Sequence, residues 1–87
     1  MENIYDLVNL KYLNLSSNQI TKINLMLNLK SLRVLNFSGN KIKKIENLWN
    51  LKQLKILNLS HNNITKIEGI SQLFILTHLN LSHNQIH

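Results

Sequence analysis

Residues Leu51–Gln72 read LKQLKILNLSHNNITKIEGISQ, and moving back 22 positions from each apolar anchor in this stretch reaches another apolar anchor. Leu51, Leu54, Leu57, Leu59, Ile64, Ile67 and Ile70 map onto Leu29, Leu32, Leu35, Phe37, Ile42, Ile45 and Leu48. A second step reaches Leu7, Leu10, Leu13, Leu15, Ile20, Ile23 and Met26, and a forward step reaches Leu73, Leu76, Leu79, Leu81 and Ile86. A fixed interval of this length marks a solenoid, in which each unit buries its apolar side against the next. The expected architecture is one repeat domain over 1–87, with a partial coil at 1–6 and repeats at 7–28, 29–50, 51–72 and 73–87.

Within a unit, Tyr12-Leu13-Asn14-Leu15 alternates polar and apolar residues, which predicts a short strand with Leu13 and Leu15 facing inward. The LxxL piece before it, such as Leu7–Leu10, reads as a tight helical or 3₁₀ turn. Asp6, Asn28, Asn50 and Gln72 share the column just before that turn, and three of the four are good N-caps. Asn18, Asn40, Asn62 and Asn84 recur three residues beyond the strand's last inward residue. An amide carries donors and an acceptor together, so a structural role is expected for this column, bonding the backbone of its own and neighbouring coils. Asn47 and Gly69 share a column that suits a positive-φ turn, although Leu25 occupies it in an earlier repeat.

Met1 and Ile4 fall on anchor columns, and the last repeat stops just after Asn84-Gln85-Ile86-His87, so no terminal cap is expected at either end. Uncapped coils expose their apolar sides. Two expectations follow, that the chain is a portion of a longer array or that copies associate end to end. With no cysteine in 87 residues, disulfides and thiolate metal sites are excluded and an intracellular, cytoplasmic setting is favoured. No run approaches the length of a membrane span, and MENIYDLVNL lacks the features of a signal peptide, so no membrane association is expected.

The chain holds two glycines and four acids, with no nucleophile elbow, phosphate-cradling loop or paired carboxylates. No enzyme activity, cofactor or metal is expected. His61 and His83 should be neighbours on adjacent coils with His78 nearby, but no carboxylate falls beside them to complete a zinc set. The net charge of +6 raises an alternative, a basic module that associates with nucleic acid or ribonucleoprotein. Lys22, Lys44 and Lys66 stack in one column with Lys43 alongside, yet the five aromatic residues do not interleave with the cations as a base-stacking platform would. Nucleic acid is therefore disfavoured as a partner.

The pattern LxxLxxLxLSxNxIxxIxxL, present over Leu51–Ile70 with Ile for the final Leu, resembles the leucine-rich repeat. The 22-residue length is similar to that of its phosphatase-regulator-like subclass, whose members include the axonemal dynein light chain and the spliceosomal A-prime protein. The resemblance implies an α/β repeat solenoid coiled right-handedly, with a short-stranded parallel sheet on the concave face and 3₁₀ or short helical turns on the convex face. It also implies a non-enzymatic scaffold for protein–protein interaction that grips its partner on the concave face. A phosphatase-regulatory role or a dynein or cytoskeletal association, and nuclear or ciliary settings, stay open through those relatives.

On that face the outward residues are Lys11, Tyr12 and Asn14; Arg33, Val34 and Asn36; Lys55, Ile56, Asn58 and His61; and His78, Asn80 and His83. The uniform column Asn14, Asn36, Asn58 and Asn80 is expected to form an amide ladder, with Ser16, Ser38, Ser60 and Ser82 beside it. The variable column Tyr12, Val34, Ile56 and His78, flanked by Lys11, Arg33, Lys55 and Thr77, is a mixed apolar and basic stripe suited to a protein surface with some acidity. Tyr5, Leu27 and Trp49 make a second candidate docking patch on the outer side.

Overall fold

The alternating segments form four three-residue strands: β1 (Tyr12–Asn14), β2 (Val34–Asn36), β3 (Ile56–Asn58) and β4 (His78–Asn80). The structure is a computed structural model and describes residues 7–25 and 28–87. Neighbouring strands pair in parallel in the order β1-β2-β3-β4. Their register joins Tyr12 to Val34, Val34 to Ile56 and Ile56 to His78, so each coil lies on the previous one with the 22-residue offset of the sequence. Backbone bonding runs past the strands, with Leu15 N–H donating to the Asn36 carbonyl and Ser17 N–H to that of Ser38. On the descending path Lys41, Asn63 and Gln85 N–H groups donate to the carbonyls of Ile20, Ile42 and Ile64.

Most anchors of the two central coils are fully buried, among them Leu35, Phe37, Ile42, Leu57, Leu59 and Ile64, while Ile70 is partly buried. Their equivalents in the outer coils, Leu13, Leu15 and Ile20 on one side and Leu79, Leu81 and Ile86 on the other, are only partly buried against this core. That gradient is what stacking predicts, because a coil is covered by its neighbours alone. Ile67 departs from the expected pattern: it is an anchor by position, yet 54% exposed.

Each LxxL segment closes with a single bond from an N–H to the carbonyl three residues earlier, as in Leu10 to Leu7, Leu32 to Leu29, Leu54 to Leu51 and Leu76 to Leu73. A second bond of the same kind precedes two of them, Leu51 to Leu48 and Leu73 to Ile70. These are isolated turns, and among the described residues none extends into a helix, 3₁₀ or α. The helical side of the expected architecture is thus reduced to turns, since a short return path has no room to propagate a helix. The N-cap expectation is not met at Asn50 and Gln72, while Asp6 lies outside the described residues. Gln72 instead accepts a bond from Lys52 Nζ at 3.4 Å, and Asn50 caps nothing.

Asn47 and Gly69 adopt positive φ, 61° and 70°, whereas Leu25 does not. At Gly69 a Cβ would sit 2.4 Å from the carbonyl oxygen of Ile45, so glycine is required by space as well as by φ. Asn47 faces the equivalent oxygen one coil earlier and uses it, donating from Nδ2 to Ile23 O at 2.7 Å.

Candidate functional site

The sheet presents one face to the core and the other to solvent. Leu13, Leu35, Leu57 and Leu79 point inward, so the residues on either side of each point outward. The register therefore assembles Tyr12, Val34, Ile56 and His78 into a continuous row, with Asn14, Asn36, Asn58 and Asn80 as a second row beside it. Tyr12 is 69% exposed and Ile56 39%, unusually high for large apolar side chains in a sheet. Lys11, Arg33 and Lys55 stand exposed next to the first row. Their backbone carbonyls are each doubly bonded, Lys11 O accepting from Arg33 and Val34 N–H, Arg33 O from Lys55 and Ile56, and Lys55 O from Thr77 and His78. The Thr77 hydroxyl also donates to Lys55 O at 3.1 Å and lies 2.9 Å from His78 Nδ1. Charged tips are thereby carried on a backbone that is locked in place.

The second row does not form the expected amide ladder. Each oxygen turns back on its own coil instead: the N–H groups of Ser16, Ser38, Ser60 and Ser82 donate to Oδ1 of Asn14, Asn36, Asn58 and Asn80 at 3.0, 2.9, 3.0 and 3.0 Å. The Ser60 and Ser82 hydroxyls donate to the same acceptors at 2.7 and 2.8 Å. A donor two residues along the chain is closer than an amide a full coil away, so the local bond wins. The row then serves to turn the chain out of the strand.

That turn carries a feature missed in the sequence. Ser17, Gly39, His61 and His83 occupy one column and all have positive φ, between 55° and 69°. Gly39 was the one available sign, being the residue that adopts this conformation without cost. His61 and His83 stack ring on ring, with centroids 4.2 Å apart and planes inclined by 9°. Parallel rings direct their nitrogen lone pairs along parallel lines, which do not converge on one ion. Among the described residues no group of three or more His, Cys, Asp or Glu side chains is placed to hold a metal.

Asn40, Asn62 and Asn84 each bridge two coils. Asn62 Nδ2 donates to Phe37 O and Leu59 O, both at 3.1 Å, while its Oδ1 accepts the N–H of Ile42 at 3.0 Å. Asn40 spans Leu15 O, Phe37 O and Ile20 N–H in the same way, and Asn84 spans Leu59 O, Leu81 O and Ile64 N–H. Among the described residues Asn18, exposed in the first described coil, bonds Leu15 O and Ser16 O within its own coil.

On the outer side Trp49 is 63% exposed, while Tyr5 and Leu27 lie outside the described residues. Among the described residues, the lysine column is largely unneutralised. Among the described residues Lys66 and Glu68 make the one ion pair, at 4.0 Å with Lys66 exposed and Glu68 half-buried, and such a surface pair contributes about 0–1 kcal/mol.

A family model described as leucine-rich repeats, two copies, matches residues 8–48 and again 30–72, and a single leucine-rich repeat model matches residues 72–87. The chain belongs to the leucine-rich repeat family. A search of curated proteins returns no match. Leucine-rich repeats are in general non-enzymatic modules of protein–protein interaction, and the parallel ladder of this leucine-rich repeat chain fits such a solenoid.

Proposed function

We propose that the solvent face of the sheet is the concave surface on which this chain holds a protein partner. The observation that carries the reading is the row Tyr12, Val34, Ile56 and His78, set in register with large apolar side chains left exposed and cations along one side. Aromatic and aliphatic anchors bordered by charge are the composition of an interface core and rim. The uniform rows are occupied with their own coils and offer little that varies from one position to the next. Discrimination falls to the variable row and to Lys11, Arg33, Lys55 and His61.

The 22-residue offset between strands supports a place in the phosphatase-regulator-like subclass, and right-handed winding follows the general rule for parallel crossovers. A phosphatase, a dynein or a spliceosomal assembly is the corresponding range of partners. Exposed Ile67 supports end-to-end association as a second contact. The absence of cysteine supports an intracellular setting.

The test is comparative affinity capture from cell extract with the natural chain and a Tyr12→Asp, Ile56→Asp double variant. Both positions are exposed, so the unfolding midpoint is expected to hold while a defined set of proteins disappears from the eluate. Capture that is unchanged in the variant, or that vanishes on nuclease treatment, overturns the reading.

A further inference from the structure

The edge that leads into the strands carries a cleft of about 440 Å³, and its cationic lining is Lys11, Lys30, Arg33 and Lys52. The other lining side chains, Ser31, Asn50 and Gln53, are neutral and hydrogen-bonding. No carboxylate of a described residue lies within ion-pair distance of any of these cations. Lys52 reaches only Gln72 Oε1, at 3.4 Å, and the face of Phe74, at 5.6 Å. Lys11, Arg33 and Lys55 recur one per coil, and like charges one strand spacing apart repel by about 1 kcal/mol even in water. Among the described residues, the edge therefore holds a charge surplus that no carboxylate offsets.

We infer that this cleft docks an extended acidic segment of the protein partner. Its carboxylates meet Lys30, Arg33 and Lys52, and its apolar side chains lie over Val34 and Ile56. Arg33 supplies a planar fork suited to a carboxylate, and the lysines add point charge. Asn50, Gln53 and Ser31 carry both donors and acceptors, as the peptide groups of a bound strand require. A nucleic acid is the poorer fit, because among the described residues no aromatic side chain lines the cleft for a base to stack on. The inference rests on the reading of the solvent face as a partner surface and adds the chemistry of what it takes.

The experiment uses fluorescence anisotropy with three probes: a labelled peptide alternating glutamate with valine, its lysine-for-glutamate counterpart, and a single-stranded oligonucleotide of equal charge. The acidic peptide is expected to bind at low salt and to weaken as salt is raised. Arg33→Glu with Lys52→Glu should reduce its affinity about tenfold or more, whereas Lys43→Glu with Lys44→Glu, the same change in charge on the opposite edge, should reduce it by less than about threefold. Equal losses in the two variants, binding of the oligonucleotide without the acidic peptide, or no peptide binding at low salt would overturn the inference. Capture of the natural partner separates this idea from the broader one. If capture survives Arg33→Glu with Lys52→Glu but is lost with Tyr12→Asp and Ile56→Asp, the acidic cleft is refuted and the sheet surface stands.

Discussion

Replacing Asn62 with alanine tests how the coils are held together. The substitution leaves the buried N–H of Ile42 with no partner, and removes one of two donors from each of the Phe37 and Leu59 carbonyls, which keep those of Asn40 and Asn84. An orphaned buried N–H costs about 1–3 kcal/mol and each lost bond about 1, so the loss is on the order of 3–5 kcal/mol. A chain of 87 residues has about 4–13 kcal/mol in total, and 3 kcal/mol corresponds to about 12–24 °C in Tm. Asn18→Ala orphans no N–H, and Leu15 O retains the Asn40 donor, so its cost is expected to be about 0.5–1 kcal/mol. Asn62→Asp is the discriminating control. It keeps the acceptor for Ile42 N–H but turns an anion toward the Phe37 and Leu59 carbonyls, and should be at least as damaging as alanine. Urea unfolding followed by circular dichroism gives the comparison. Equal effects of Asn18→Ala and Asn62→Ala, or an Asn62→Asp protein as stable as the parent, would refute the bridging account.

Gly69→Ala combines left-handed strain with a Cβ 2.4 Å from Ile45 O, and is expected to cost about 2 kcal/mol or more in thermal unfolding. Gly39→Ala has the same strain, but its nearest neighbours lie at 3.5 Å, so about 1 kcal/mol is expected from the same measurement. Leu57→Ala opens a cavity in the fully buried centre and should cost about 3–4 kcal/mol, with Leu79→Ala in the outer coil nearer half of that, both read from denaturant midpoints. Trp49→Ala, at an exposed position, should shift stability by less than about 0.5 kcal/mol, so any change in sedimentation or partner capture reports a docking role directly.

The stack was legible because it is written redundantly. Leu35 and Leu57 are each predicted by one another, and the parallel register then follows from superposing them. The asparagine bridges were legible for a chemical reason: an amide between apolar anchors at every turn has backbone groups to satisfy and few other duties. What escaped was set by short-range geometry that a period does not encode. Asn58 repeats as faithfully as Asn62, yet bonds its own Ser60, because the competing donor is two residues away. Ser17, His61 and His83 take a conformation that only Gly39 announces. Ile67 is apolar like its column-mates, but exposure depends on what lies above it, and that is a property of the neighbour.

The offset between strands also governs how such a molecule can change. Duplication or deletion of one whole unit returns every bridging amide to a carbonyl and an N–H of the kind it left, whereas a single inserted residue would displace all bridges across one seam. Length is thus free to vary in quanta. Each quantum adds one new member to the row begun by Tyr12, so the reading surface lengthens by one letter at a time while the scaffold beneath it stays the same.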